Sequence, residues 1–209
     1  LDITKIQKYT KDATDNLEGV SQSELEVDAR LQFRDKITTE EIQQTLIKTA
    51  VDKIDIDTPN WSFVASRLFL YDLYHKVSGF TGYRHLKEYF ENAEEKGRIL
   101  KGFKEKFDLE FLNGQIKPER DFQFNYLGIK TLYDRYLLKD ANNNPIELPQ
   151  HMFMSIAMFL AQNEQEPNKI ALEFYEVLSK FEAMCATPTL ANARTTKHQL
   201  SSCYIGSTP

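Results

Sequence analysis

The chain has 209 residues, of which 41% are hydrophobic and 12% aromatic, enough apolar material for a packed core and too much for a disordered chain. Its 31 acidic residues outnumber 26 basic ones, and the formal charge of −5 argues against a protein that binds nucleic acid through a basic face. No apolar run reaches the length of a membrane span, and the opening LDITKIQKYT has neither the apolar segment of a secretory signal nor an initiator Met, so the natural N-terminus is expected upstream.

The pattern is mostly helical. Ile3, Ile6, Tyr9 and Ala13 fall on one face of a helix over 3–17. SQSE at 21–24 reads as a capping box, with Ser21 accepting from the backbone and Glu24 reaching back; it opens a helix carrying Leu25, Ala29 and Phe33. Thr38 and Glu41 repeat the device before Ile42, Leu46, Ala50 and Ile54. DTPN at 57–60 predicts a fourth start, with Thr58 as N-cap and Pro59 at the first helical position, followed by Trp61, Val64, Ala65, Leu68, Tyr71 and His75. Residues 1–78 therefore read as four short helices in a compact bundle, and SGFTG at 78–82 is the best boundary.

Beyond it, helices are expected around 84–94, near 108–113 and near 123–136. YLLKDANNNPIEL at 136–148 looks like a β-hairpin around an Asn-rich turn. Two strong helices follow, over 149–163 (Met152, Ile156, Ala157, Leu160) and over 167–184, with Ile170, Phe174, Val177, Leu178 and Phe181 as its apolar face. Pro188 then excludes a helix interior. LSSCYIG at 200–206 alternates like a buried strand whose partners are not in this chain.

Chemistry concentrates in residues 186–203, ATPTLANARTTKHQLSSC. Thr187, Thr189, Thr195, Thr196, Ser201 and Ser202 donate hydrogen bonds without adding charge, which suits an anionic phosphate at a helix-to-loop junction. Ordinary turn and cap chemistry accounts for the same residues. Two cysteines make no disulfide framework, and in a chain without a signal the expected compartment is the reducing cytoplasm, where a thiol is buried or catalytic. Cys185 sits at the apolar end of a helix and reads as core, whereas Cys203 is either a small buried hydrophobe or a reactive thiol. Lys5 and Thr39 could face one nucleotide as counter-charge and helix-start hydroxyl, with His75 on a third helix. As a solvated lysine, a terminal threonine and a surface histidine they need no ligand.

At these residues the sequence resembles a known family. TPTLANARTTKHQLSSC is similar to the stretch by which the large (alpha) subunit of class I ribonucleotide reductase enters its catalytic barrel. IELPQHMFMSIAMFLA and ALEFYEVLSKFEAMCATPTL resemble the helical region before it, and VSQSELEVDARLQFRDKITTEEIQQTLIKTAVDKI resembles the second half of an ATP-cone. The resemblance implies a mainly α fold: a helical ATP-cone, cut short at its N-terminus, over 1–80; a helical domain with one β-hairpin over 81–199; and the first strand of an α/β reductase barrel over 200–209. It implies reduction of ribonucleoside diphosphates by thiyl-radical chemistry under ATP/dATP control, with Cys203 as first member of a redox-active cysteine pair. Thr187 and Ser202 match substrate-binding positions, while Asp2, Lys5, Thr39, Tyr71 and His75 match allosteric nucleotide-binding ones. Many relatives carry Lys where His75 stands, and some carry His where Gln43 stands; a neutral His is a poorer phosphate partner.

No covalent cofactor and no metal in this chain are implied. The radical comes from a metal-containing small (beta) subunit, and the other expected partners are a second alpha chain and a thioredoxin- or glutaredoxin-type reductant, with no nucleic acid and no membrane. The radical cysteine, the partner cysteine and the acid/base carboxylate are expected beyond residue 209, so the chain alone is expected to be inactive. The alternative is a stand-alone nucleotide-sensing module, against which the late Cys203 motif argues.

Overall fold

The structure, a computed structural model, describes residues 3–206. It is mainly α. Helices α1 (Ile3–Thr14), α2 (Gln22–Arg30), α3 (Thr39–Asp52) and α4 (Trp61–Ser78) are followed by α5 (Leu86–Glu95), α6 (Leu109–Asn113), α7 (Tyr126–Arg135), α8 (Pro149–Ala161), α9 (Pro167–Ser179) and α10 (Thr187–Asn192). Short 3-10 turns occupy Phe103–Lys106 and Pro118–Gln123. Among the described residues no helix is long and apolar enough to cross a membrane. The chain divides into two compact units, Leu1–His75 with Phe122–Thr131, and Lys76–Asp121 with Leu132–Pro209.

In the first unit the cap of α3 acts as the sequence indicates. Thr38 accepts from the Glu41 amide at 3.2 Å and Glu41 accepts from the Thr38 amide at 2.9 Å, a complete capping box that satisfies two otherwise orphaned donors. Ser21 likewise accepts from the Glu24 amide at 3.3 Å. The Glu24 carboxylate does not reach back, because it takes the Lys53 ammonium at 2.6 Å instead. Nor does Thr58 cap α4: its hydroxyl donates to the Lys53 carbonyl at 3.1 Å, and the helix starts at Trp61. Leu25, Ala29, Ile42, Leu46, Ala50, Trp61, Val64, Ala65 and Leu68 form the unit's core.

The second unit is organised on α8, whose residues 149–159 are all buried. A helix apolar on every side must sit at a centre, and α8 packs along α9. The buried face of α9 is Ala171, Tyr175 and Leu178; the expected face is displaced, since Phe174 and Val177 are exposed. The helix also ends before 184. Phe181 takes a left-handed φ of 61°, the Phe181 amide bonds the Leu178 carbonyl at 3.2 Å, and the Glu182 amide reaches Val177 at 3.0 Å. This is a Schellman ending with Phe where Gly is usual, and the ring packs edge-on to Phe153 at 6.1 Å, which offsets the backbone strain. Cys185 therefore lies in the following loop, half-buried, not at the end of a core helix.

Within 136–148 an isolated antiparallel bridge joins Lys139 to Pro145, and the Ile146 amide bonds the Leu138 carbonyl at 3.0 Å. Pro188, which cannot occupy a helix interior, stands in the first turn of α10, where its missing N–H would have had no partner anyway. Residues 200–206 form no strand, and Ser201–Gly206 are exposed. A strand needs a neighbour to pair its backbone, and none of the described residues supplies one.

Candidate functional site

Two groups of candidate residues fall in separate units. In the first, α4 is antiparallel to both α1 and α3. Arg67 donates to the Ala13 and Asp15 carbonyls at 3.3 and 2.7 Å, while Tyr9, earlier on α1, meets His75, later on α4. The Lys53 ammonium lies 5.3 Å from the Trp61 ring, while Gln44, earlier on α3, reaches Asp72 at 3.3 Å. Continuing both registers by one turn brings Lys5, Thr39 and His75 to the same end of three helices. Lys5, Thr39 and His75 are exposed.

Tyr71 lies beneath that end, 7% exposed, 5.6 Å from the Tyr9 ring and 6.5 Å from that of Phe122. Burial, reinforced by the charge of Asp12, pushes its phenol up to about 12, so it stays neutral. The Tyr9 hydroxyl sits 2.5 Å from His75 Nε2. Gln43 is committed elsewhere, donating to the Leu68 carbonyl at 2.8 Å. Thr39 is the first residue of α3, beside first-turn amides that lack intrahelical partners and carry the positive end of the macrodipole. Glu41 occupies the same turn; its bond from the Thr38 amide, then Arg34, hold its carboxyl below the usual range. Asp2 lies outside the described residues.

In the second unit Thr187 opens α10, exposed, with its hydroxyl 3.3 Å from that of Tyr136. The chain onward is pinned by the Thr195 hydroxyl on the Asn192 carbonyl at 2.9 Å and the Asn192 amide on the Gln199 carbonyl at 3.0 Å. Ser202 and Cys203 are exposed. Ser201 donates to the Cys203 carbonyl at 3.0 Å, so Ser201 and not Ser202 orders the backbone at the thiol. Thr187 and Cys203 thus share a segment, but no hydrogen bond joins them among the described residues. The exposed Cys203 contrasts with Cys185, whose thiol is pushed up by burial.

The polar core behind this segment has no local sequence signal. Arg194 and Glu147 are both 0% exposed and form a two-pronged ion pair, with Arg194 Nε on Glu147 Oε1 at 2.8 Å and Nη2 on Oε2. Arg194 also donates to the Leu190 carbonyl at 2.5 Å and to Tyr136 at 2.9 Å. Glu147 further accepts from the Tyr89 hydroxyl and, at 2.9 Å, from the Leu138 amide. Burial disfavours the Arg194 charge, yet Glu147 more than restores it and the guanidinium is held above its ordinary value. Burial and the Glu147 charge drive the Tyr89 phenol well up. A second chain of bonds runs from Tyr83 to Asp121 at 2.6 Å, from Gln150 to Asp121 at 2.8 Å and from Tyr175 to Gln150 at 2.8 Å. These donors and acceptors satisfy one another where water does not reach.

Residues 122–198 match the family described as ribonucleotide reductase, all-alpha domain. Over all 209 residues the chain is 99% identical to the ribonucleoside-diphosphate reductase subunit alpha of Helicobacter pylori, covering 26% of that protein. It is 34% identical over 208 residues to the subunit alpha of Enterobacteria phage T4, spanning 97% of this chain and 27% of the relative. Against the ribonucleoside-diphosphate reductase 1 subunit alpha of Escherichia coli it is 28% identical over 212 aligned residues, spanning 98% and 28% respectively. The chain thus spans about a quarter of the length of the curated relatives it matches. Identity along the whole chain, together with the all-alpha domain across 122–198, means that it belongs to the ribonucleoside-diphosphate reductase alpha-subunit family.

Proposed function

We propose that this chain is the N-terminal part of a class I alpha subunit that reduces ribonucleoside diphosphates to deoxyribonucleoside diphosphates. The near-identity to the Helicobacter pylori subunit along the whole chain carries the reading. Residues 1–80 act as the ATP-cone, where Lys5 and the start of α3 at Thr39 meet the phosphates of ATP or dATP, with Asp2, Tyr71 and His75 completing the site. The convergence of Lys5, Thr39 and His75 supports this. Residues 81–199 form the helical domain with a short hairpin at 139–145, and residues 200–209 enter the barrel.

In the reaction, Thr187 and Ser202 hold the substrate by neutral hydroxyl donation. Cys203 and a second cysteine elsewhere in the protein each give up one hydrogen, two electrons in all, and close a disulfide; one hydrogen takes the place of the ribose hydroxyl on its carbon and the other leaves with that hydroxyl as water. A dithiol protein of the thioredoxin or glutaredoxin type reopens the disulfide, and a metal-containing small subunit starts the radical. Such a protein works in the cytoplasm, as a dimer of alpha chains. Turnover of the full-length alpha subunit with its small subunit and a dithiol reductant tests the role: Cys203→Ser is expected to abolish multiple turnover, and full activity of that variant would overturn it.

A further inference from the structure

We propose that Tyr136 is a positioning residue, which orients the Thr187 hydroxyl toward substrate and ties it to the buried Arg194–Glu147 pair. This rests on the reading of Thr187 as a substrate-binding residue. Tyr136 meets the α10 region twice. Its carbonyl accepts from Arg194 at 2.9 Å, and its hydroxyl lies 3.3 Å from Thr187 Oγ1. Arg194 in turn holds the far end of α10 through the Leu190 carbonyl at 2.5 Å. One half-buried tyrosine therefore touches the beginning of this six-residue helix through its side chain and shares with the helix end a single guanidinium.

The anchor is held because it is fully buried and its guanidinium makes four hydrogen bonds. Arg194 donates to Glu147 on two sides, and its own carbonyl accepts from the Leu100 amide at 3.1 Å. A planar guanidinium held on a carboxylate by paired bonds has little freedom to swing. The phenol is more acidic than the aliphatic alcohol, so Tyr136 donates and Thr187 accepts. That leaves the threonine proton free to point outward, where an anionic diphosphate oxygen accepts it. The contact at 3.3 Å is long for a hydroxyl pair, and bonds of this kind tighten when substrate seats.

Tyr136→Phe removes the phenolic oxygen and leaves the main-chain bond to Arg194 in place, so it spares the buried pair. The test is a double-mutant cycle in the full-length alpha subunit with its small subunit, reading KM and kcat for a ribonucleoside diphosphate. Thr187→Val is expected to raise KM about tenfold, and Tyr136→Phe about fivefold with kcat little changed, as for loss of one neutral hydrogen bond. The double variant is expected to match Thr187→Val alone, because the tyrosine has nothing left to orient. Thr187→Ser, which keeps the hydroxyl, is expected to restore the sensitivity to Tyr136→Phe. If Thr187→Val leaves KM unchanged, the substrate role of Thr187 falls and this proposal with it. If Thr187→Val raises KM but Tyr136→Phe does not, or if the two effects multiply, the substrate role stands and the positioning role is overturned. A Tyr136→Phe variant that loses thermal stability without any change in KM is a merely structural residue and also overturns it.

Discussion

A single buried charge pair shows how much depends on individual side chains. Arg194 and Glu147 are separated by 47 positions, so no short window of sequence contains both. Removing one partner strands the other in a site without water. Glu147→Leu is therefore expected to lower the stability of the chain by about 3–5 kcal/mol, measured by urea unfolding. Cys203 is the opposite case: the residue is exposed among the described residues, and Cys203→Ser is expected to leave the stability of this chain within about 0.5 kcal/mol. His151 sits between these extremes. It is 1% exposed, stacked on Tyr89 at 4.6 Å, with Nε2 bonded to the Arg84 carbonyl at 3.1 Å. Burial lowers its pKa from 6.5 to about 3, despite the Arg84 carbonyl. Between those values the unfolded chain binds a proton that the folded chain refuses, so stability is full above pH 6.5 and is lost as pH falls toward 3. His151→Gln, which keeps a donor for Arg84, is expected to flatten that loss, and equilibrium unfolding at several pH values checks it.

At the element scale, helix starts were legible at Ser21 and Thr38, where a side chain caps its own backbone. Thr38 and Glu41 act three residues apart, and the capping box follows directly from them. Thr38→Ala is expected to cost about 1 kcal/mol in thermal or urea unfolding. Thr39→Ala, one residue on and exposed, is expected to leave stability within about 0.5 kcal/mol. It is expected to weaken ATP and dATP binding in calorimetry on the full-length protein, and undiminished binding would count against the nucleotide site at this end. Elsewhere the ends were set from outside the helix. No glycine marks the stop of α9, because Phe181 takes the left-handed position and Phe153 of α8 receives its ring. Thr58 looked like a cap, but its hydroxyl had a better partner in the Lys53 carbonyl. Pro188 excluded a helix interior correctly and concealed a helix start, since both demand the same φ.

At the scale of the whole chain, periodicity and caps suffice for a mainly α protein of many short helices, and the resemblance at residues 186–203 was enough to name the family. Those signals are local: a helix face repeats within a turn, and a motif is read in order. The sequence by itself also singled out the candidates for chemistry, namely Cys203, Thr187 and the Lys5, Thr39 and His75 set. What only the tertiary structure decided was which of them meet. Antiparallel packing brings three helix positions to one end, rotation of α9 buries Tyr175 in place of Phe174, and Tyr136 is set against Thr187 across 51 positions. The physical reason is that packing and buried hydrogen bonds are satisfied between elements distant in the chain, where no local pattern records the partner.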